Sequence, residues 1–267
     1  ADVAFSAARG FYDVPVEIEL SVSTPDALIY YTLDGSLPTP AAGMAYEQPI
    51  TIDRTTNVRA AAYKENYVPS RTGTHSYFFV ADILQQPADP EGFPNRWGRA
   101  GGADYEMDPR IASDETSGIH DPDVAQALTA LPTVSLTMNV EDFFGTTGIQ
   151  SNPQNRGDLW ERATSVEFID FAHFENAQVD SGIRMVGNAS RNPDRRKHNM
   201  RLAFRDDYGD PSLSLPLFGL GDWEQHENLI LRGGNGDSWV NSGVTQRAQY
   251  IRDQWQRDLQ FAMGHLS

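Results

Sequence analysis

The stretch Gly182–Phe204, GIRMVGNASRNPDRRKHNMRLAF, decides how the second half of this chain is interpreted. Two segments with strand character, Gly182–Val186 and Asn199–Phe204, flank a polar loop. The loop begins with three small or polar residues, Gly187, Asn188 and Ser190. Two strands around a polar loop predict a β-hairpin.

The loop of this hairpin is rich in positive charge. Five cations lie within eleven residues: Arg191, Arg195, Arg196, Lys197 and Arg201. The whole chain carries a formal net charge of -16, and lysine occurs in it only twice, at Lys64 and Lys197. Because concentrated cations repel one another, such a cluster typically faces phosphate, carboxylate or an acidic partner. The alternative, which composition leaves open, is a solvated loop whose charges balance neighbouring acids.

Length and composition limit the class of protein. With 267 residues and 39% hydrophobic content, the chain can form one large or two ordinary globular domains. It has no run of eighteen apolar residues, so no membrane span is predicted. The net charge of -16 argues against a nucleic-acid partner, because nonspecific binding rests on neutralising phosphates.

The absence of cysteine excludes disulfides, thiolate chemistry and cysteine metal sites. It fits an extracellular or cell-surface bacterial protein, although a cytosolic protein can also lack thiols. Ala1 begins directly in sequence of folded character, so we expect any signal peptide to have been removed or not included. The chain stops just after a predicted helix, so we expect it to be a fragment of a longer protein.

Residues 1–80 have the pattern of an all-β immunoglobulin-like sandwich. Val16, Ile18 and Leu20 alternate with polar residues, as in a half-buried strand. Asp34-Gly35 offers the backbone freedom that a tight hairpin turn requires. Three further strands are predicted, at 49–52, 58–63 and 74–79, at the spacing typical of a sandwich.

The motifs FSAARGFYDVPVEIEL, IYYTLDGSLPT, YEQPITI and VRAAAYKENYVPS resemble the chitobiase/β-hexosaminidase C-terminal-type domain. The resemblance spans nearly all of residues 4–80. It implies an accessory sandwich of secreted bacterial proteins, without catalytic residues of its own. Three tyrosines, Tyr30, Tyr31 and Tyr46, could stack on a surface polysaccharide, or could simply pack in the core and turns.

Residues 81–131 are predicted to be an irregular linker rich in proline and glycine, with one short helix at Pro122–Ala130. Trp97, Tyr105 and Met107 suggest that the irregular part packs against other residues. Residues 132–267 are predicted to form an α+β domain. Its strands lie at 133–138, 165–170, 182–186, 199–204 and 228–232, and a helix follows from about Val244 to Met263.

The second domain resembles the CotH family. The segments that carry the resemblance, in order from Pro132 to Gly264, include PTVSLTM, GIRMVGNASRNPDRRKHNMRLAFRDDYG and NLILRGGNGDSW. The family contains spore-coat and cell-surface proteins with an atypical protein-kinase-like fold. The resemblance implies ATP- and Mg²⁺-dependent phosphorylation of Ser or Thr in exported proteins. It also implies a nucleotide site formed by the loop residues Gly187, Asn188, Ser190 and Arg191 and by the nucleotide lysine, Lys197.

The acidic half of such a site is less defined in the sequence. Phosphoryl transfer needs carboxylates that hold Mg²⁺ and orient the acceptor hydroxyl. Asp237, in the GGNGDSW turn, is the catalytic candidate, with an Asx turn as the structural alternative. Glu161 and Glu167 are considered as partners of Lys197, although a strand glutamate is usually solvated. The metal ligands themselves stay unassigned.

Two functions from different classes remain. The first is a secreted two-domain fragment: a sandwich joined to the front part of a CotH kinase-like domain, truncated at its C-terminal side. We expect kinase activity only where the full-length site is intact, and we expect this fragment to be inactive. The second is a non-catalytic coat or adhesion protein that uses the kinase-like domain as a scaffold. A hydrolase built on Ser190 and His198 is disfavoured, since the loop lacks a G-x-S-x-G turn.

Overall fold

The computed structural model describes residues 1–97, 99, 101–107, 121–172, 174–217, 225–234 and 251–264. Within these ranges, β-strands form two five-stranded sheets and three two-stranded ones. The strands of the N-terminal part are β1 (Ala4–Phe5), β2 (Gly10–Phe11), β3 (Val16–Ile18), β4 (Leu20–Ser21), β5 (Leu28–Thr32), β6 (Met44–Ala45), β7 (Ile50–Ile52), β8 (Thr56–Tyr63) and β9 (Gly73–Phe78).

The N-terminal strands form a β-sandwich. One layer is the sheet β2-β9-β8-β5-β6, in which only β2 and β9 run parallel, and the pairs β1-β4 and β3-β7 form the other layer. Apolar side chains from both layers fill the space between them: Ile18, Leu20, Ile29, Ile50, Ile52, Val58, Ala60, Ala62 and Tyr77. The predicted alternation in 16–20 is therefore confirmed, because Ile18 and Leu20 point into this core.

The predicted turn at Asp34-Gly35 has a different role from the one expected. Gly35 has a φ of +80°, and the Asp34 carboxylate accepts a hydrogen bond from the Ser36 amide at 3.0 Å. However, β5 pairs next with β6, which begins only at Met44, so this turn does not close a two-residue hairpin. The chain between this turn and β6 is therefore a longer loop outside the sheet.

The linker region packs more than its composition suggests. A helix, α1 (Val80–Leu84), follows β9 directly and was not predicted. The predicted packing of Trp97 and Tyr105 is confirmed, because their rings meet edge to face at 5.2 Å and Phe93 lies 5.8 Å from Tyr105. A second helix, α2 (Asp121–Thr129), lies within one residue of the predicted position.

The second domain contains a five-stranded antiparallel sheet in the order β10-β11-β12-β13-β16. The remaining elements are α3 (Val140–Phe144), β10 (Thr133–Thr137), β11 (Arg162–Ile169), β12 (Ala177–Val186), β13 (Asn199–Ala203), β14 (Leu213–Ser214), β15 (Gln225–His226), β16 (Asn228–Leu231) and α4 (Arg252–Ala262). One face of the sheet is apolar, with Val166, Phe168, Ile183 and Leu202 in its core. We call the opposite face, which carries Ser135, Glu167, Asp180, Arg184 and Arg201, the polar face.

The C-terminal helix is described only in part. Residues 244–250 of the predicted helix lie outside the described residues, and α4 ends before Gly264, whose φ is +80°, as the sequence predicted. The apolar stripe of α4 is exposed: Trp255 and Leu259 have 65% and 43% of their surface accessible. In the described part of the chain, no helix combines the length and the apolar character needed to cross a bilayer.

The sandwich docks on the polar face of the second sheet through Glu167. This side chain, in the middle of β11, is completely buried. Its Oε1 accepts a hydrogen bond from the Ser76 amide of β9 at 3.0 Å, and its Oε2 accepts one from the Ser76 hydroxyl. The Arg9 guanidinium lies 3.6 Å from Oε1. The expectation of a solvated Glu167 or of a Glu167–Lys197 pair is therefore wrong, because a second domain covers this strand.

Further charged groups meet across the same interface. Arg59, which is 6% exposed and donates to the Gly35 carbonyl at 2.8 Å, lies in the field of Asp180 on β12. At the edge, Arg71 contacts Asp210 at 3.1 Å. In each of these pairs the sandwich supplies the arginine and the second domain supplies the carboxylate. The charges are therefore complementary across the interface.

Burial raises the pKa of Glu167 and of Asp180; the Ser76 hydrogen bond and Arg9 offset this only in part at Glu167, as Arg59 does at Asp180. A raised carboxyl pKa means that the folded protein binds more protons than the unfolded chain, so this contribution to stability falls as pH rises. We expect the free energy of unfolding of the wild type, relative to that of Glu167→Gln, to fall as the pH is raised from about 4 to about 8. Urea denaturation of both proteins across this range measures the difference. A difference that rises with pH would contradict a raised pKa.

Candidate functional site

The predicted hairpin is formed by β12 and β13, which pair from Gly182↔Ala203 to Val186↔Asn199. The turn out of β12 requires glycine: Gly187 has a φ of +93°, and a Cβ there would lie 2.4 Å from the Ser190 hydroxyl. A short 3₁₀ turn, Ala189–Arg191, follows. The loop therefore has a defined conformation at its first turn.

Ser190 and Arg191 hold the loop closed. The Ser190 hydroxyl donates to the Val186 carbonyl at 2.6 Å. The Arg191 guanidinium donates to the carbonyl of Gly187 and, at 3.1 Å, to that of Gln154. Both residues are only 6% exposed. Their side chains therefore stabilise the conformation of the loop. They are not available to a ligand from solvent.

His198 completes this internal bracing. Its ring is 5% exposed, its Nδ1 is in hydrogen-bond contact with the Ser190 carbonyl, and burial lowers its pKa. The Ser190 hydroxyl hydrogen-bonds Val186 rather than this ring, so the pair lacks the hydroxyl-to-imidazole contact that a hydrolase needs. The structure thus agrees with the sequence in disfavouring that chemistry.

The exposed part of the loop offers two of the predicted groups to solvent, Asn188 and Lys197. Arg196 instead contacts Asp104 at 3.2 Å, and Asp194 contacts Arg99 at 3.2 Å. The alternative of a loop balanced by neighbouring acids therefore holds for Arg196. Lys197 makes no hydrogen bond or ion pair within the part of the chain that the structure describes.

A second group of charges lies on the polar face, below the loop. Arg184 and Arg201 are directly opposite on β12 and β13. Glu161, whose side chain is only 1% exposed, lies 3.5 Å from Arg184 and 3.4 Å from Arg205. Asp158 contacts the same two arginines, each at 3.1 Å. We call these five residues the arginine cluster.

The pairing of Glu161 corrects the sequence-based prediction. The expected pair of Glu161 with Lys197 does not form, because Glu161 contacts Arg184 and Arg205 instead. Gly182 makes this possible, because a Cβ at that position would lie 2.5 Å from the Glu161 carboxylate and 2.4 Å from the Tyr208 ring. Glu161 is thus a buried acid of the site whose partners sequence reasoning did not find. The sequence signal for such an acid was the predicted pairing of two strands that each carry an arginine, Arg184 and Arg201.

The remaining predicted site residues have mixed outcomes. Asp237, the catalytic candidate, lies outside the described residues. No group of three or more His, Cys, Asp or Glu residues that could hold a metal occurs among the residues that are described. Tyr31 and Tyr46 pack edge to face at 6.4 Å against the sandwich core. Tyr30 meets Tyr63 at 5.7 Å in the same manner.

Comparison with known proteins confirms the N-terminal assignment. Residues 7–74 match the model of the chitobiase/beta-hexosaminidase C-terminal domain. No curated protein and no solved structure matches the chain. These comparisons give no support for the CotH resemblance of residues 132–267, which stays a prediction, as does the kinase-like fold.

Proposed function

We propose that residues 132–267 belong to a phosphotransferase domain of the CotH type, as its front part, carried by a secreted or cell-surface bacterial protein. In this proposal the β12–β13 loop binds the phosphates of ATP, and the γ-phosphate passes to a Ser or Thr hydroxyl of an exported protein. The sandwich is an accessory domain rigidly attached to the catalytic one.

The observation that carries the proposal is the exposed cation at the end of a braced hairpin loop. Lys197 makes no ion pair with any described residue, in a chain that has a net charge of -16. An ammonium group left without a counter-ion in such an acidic protein favours an external anion. A phosphate group can pair with the compact charge of Lys197 and can accept a hydrogen bond from the exposed Asn188 side chain.

A Mg²⁺ ion needs carboxylate ligands, and the described residues contain no cluster of acids that could hold it. Asp237 is the proposed carboxylate for it. When bound, Mg²⁺ would neutralise charge that develops on the transferred phosphoryl group. The chain's own contribution in this proposal is to position the phosphates through the loop and Lys197.

The test is a thermal shift with ATP, with and without Mg²⁺, on the wild type, Lys197→Ala and the matched control Lys64→Ala. A ligand that binds only the folded state raises the melting temperature. We expect a rise in the wild type and in Lys64→Ala, and its loss in Lys197→Ala, because only Lys197 lies at the hairpin. No rise in any of the three proteins would reject nucleotide binding.

A second function, that of a non-catalytic coat or adhesion protein, is favoured by the buried contact between the domains. The Glu167 network fixes the sandwich against the second sheet and makes a stiff two-domain unit. Such a unit suits a scaffold as well as an enzyme. Binding of a surface polysaccharide in the absence of any response to ATP would favour this second function.

A further inference from the structure

The arginine cluster contains more positive than negative charge. Three arginines, Arg184, Arg201 and Arg205, lie near two carboxylates, Glu161 and Asp158. Both carboxylates contact Arg184 and Arg205. Arg201 instead donates from its Nε to the neutral side chain of Asn228 at 2.7 Å, and it has no ion pair with a described residue.

The position of Arg201 makes this imbalance notable. Like charges directly opposite on neighbouring antiparallel strands destabilise a sheet, and Arg201 is directly opposite Arg184. The direct contacts of both carboxylates are with Arg184 and Arg205, and Arg201 feels Asp158 only at a distance, as one of the positive charges that, after Arg205, lower the Asp158 pKa. A protein with a net charge of -16 has many acids available for the other side, yet none of the described ones pairs with Arg201.

The surroundings of Arg201 leave room for a ligand. Ile230, the residue directly opposite on β16 and on the same face, is 61% exposed. The contact with Asn228 fixes Nε and leaves the two terminal nitrogens of the guanidinium without a hydrogen bond among the described residues. Two parallel N–H donors in a fixed plane match the oxygens of a phosphate group.

We propose that Arg201, held by Asn228 and supported by the Arg184–Glu161 pair, binds a phosphate group on the polar face below the hairpin loop. This inference deepens the proposed function, on which its assignment to ATP rests. It adds to Lys197 a second cation that projects from the strand rather than from the loop. Glu161 then stabilises the cluster by fixing Arg184, and its negative charge competes with the phosphate for the arginines.

The test measures binding of ATP, inorganic pyrophosphate and adenosine to the wild type, Arg201→Gln, Arg201→Lys and the exposed control Arg54→Gln by calorimetry. We expect Arg201→Gln to lose about tenfold or more in affinity for ATP and pyrophosphate, since a charge-assisted hydrogen bond is lost. Arg201→Lys should recover part of it, and Arg54→Gln, whose side chain is 76% exposed in the sandwich, should bind as the wild type does. Thermal denaturation of each variant establishes that it is folded.

The outcomes separate this inference from the proposed function. If ATP binds the wild type and Arg201→Gln with the same affinity, Arg201 is not a phosphate ligand, while the proposed nucleotide site stands. If pyrophosphate binds through Arg201 but ATP does not bind, the phosphate site stands and the nucleotide proposal fails. If Arg201→Gln does not fold, the comparison of wild type with Arg201→Lys decides, and equal affinities would overturn the inference.

Discussion

Replacement of Glu167 by alanine is expected to destabilise the protein by about 3 to 5 kcal/mol, the range for removing one partner of a buried charged network. The side chain is completely buried and accepts both the amide and the hydroxyl of Ser76. Its loss would leave the Ser76 amide and the Arg9 guanidinium without their partner in the interface. Urea denaturation should show the sandwich and the second domain unfolding in two steps instead of one.

The matched control for this prediction is Glu167→Gln. The Ser76 hydroxyl has a single proton, for which the Asn57 amide oxygen and the Glu167 carboxylate compete. A neutral group at 167 that can donate relieves this competition, which agrees with the raised pKa of the Glu167 carboxyl. Glu167→Gln should therefore cost much less than Glu167→Ala. Equal stability of Glu167→Ala and the wild type would show that the contact does not hold the domains together.

The fold of the N-terminal domain could be predicted because its signals are local. Alternation in 16–20 and the family motifs depend on neighbours in sequence, and the structure places Ile18 and Leu20 in the core as the alternation requires. The interface could not be predicted in this way. Glu167 and Ser76 are ninety-one positions apart, and a polar residue in a strand has the same local pattern whether it faces water or another domain.

The site shows the same division. Gly187 and the hairpin strands follow from local pattern, and the structure forms the hairpin with the predicted pairing segments. The roles of individual side chains in the loop did not follow, because Ser190 and Arg191 turn inward to carbonyls of Val186, Gly187 and Gln154. Composition gives the number of cations in a loop, but only the fold shows which of them already have partners.

Glu161→Gln is expected to lower the stability of the protein and, at the same time, to tighten binding of pyrophosphate. The Glu161 carboxylate is 1% exposed and lies close to both Arg184 and Arg205. Because an amide of the same shape removes the charge, the arginines would keep only Asp158, and we expect a loss of about 2 to 4 kcal/mol, within or just below the range for a broken buried pair. The added positive charge favours an anion at Arg201. Denaturation and calorimetry measure the two effects on one variant.

Asp158→Asn is the matched control, because Asp158 contacts the same two arginines but has 67% of its side chain exposed. Solvent screens an exposed pair, so this change should alter stability much less than Glu161→Gln does. A purely structural cluster would lose stability in Glu161→Gln without gaining affinity for pyrophosphate. The gain in affinity therefore separates a cluster that binds phosphate from one that only joins two strands, and its absence would contradict phosphate binding at Arg201.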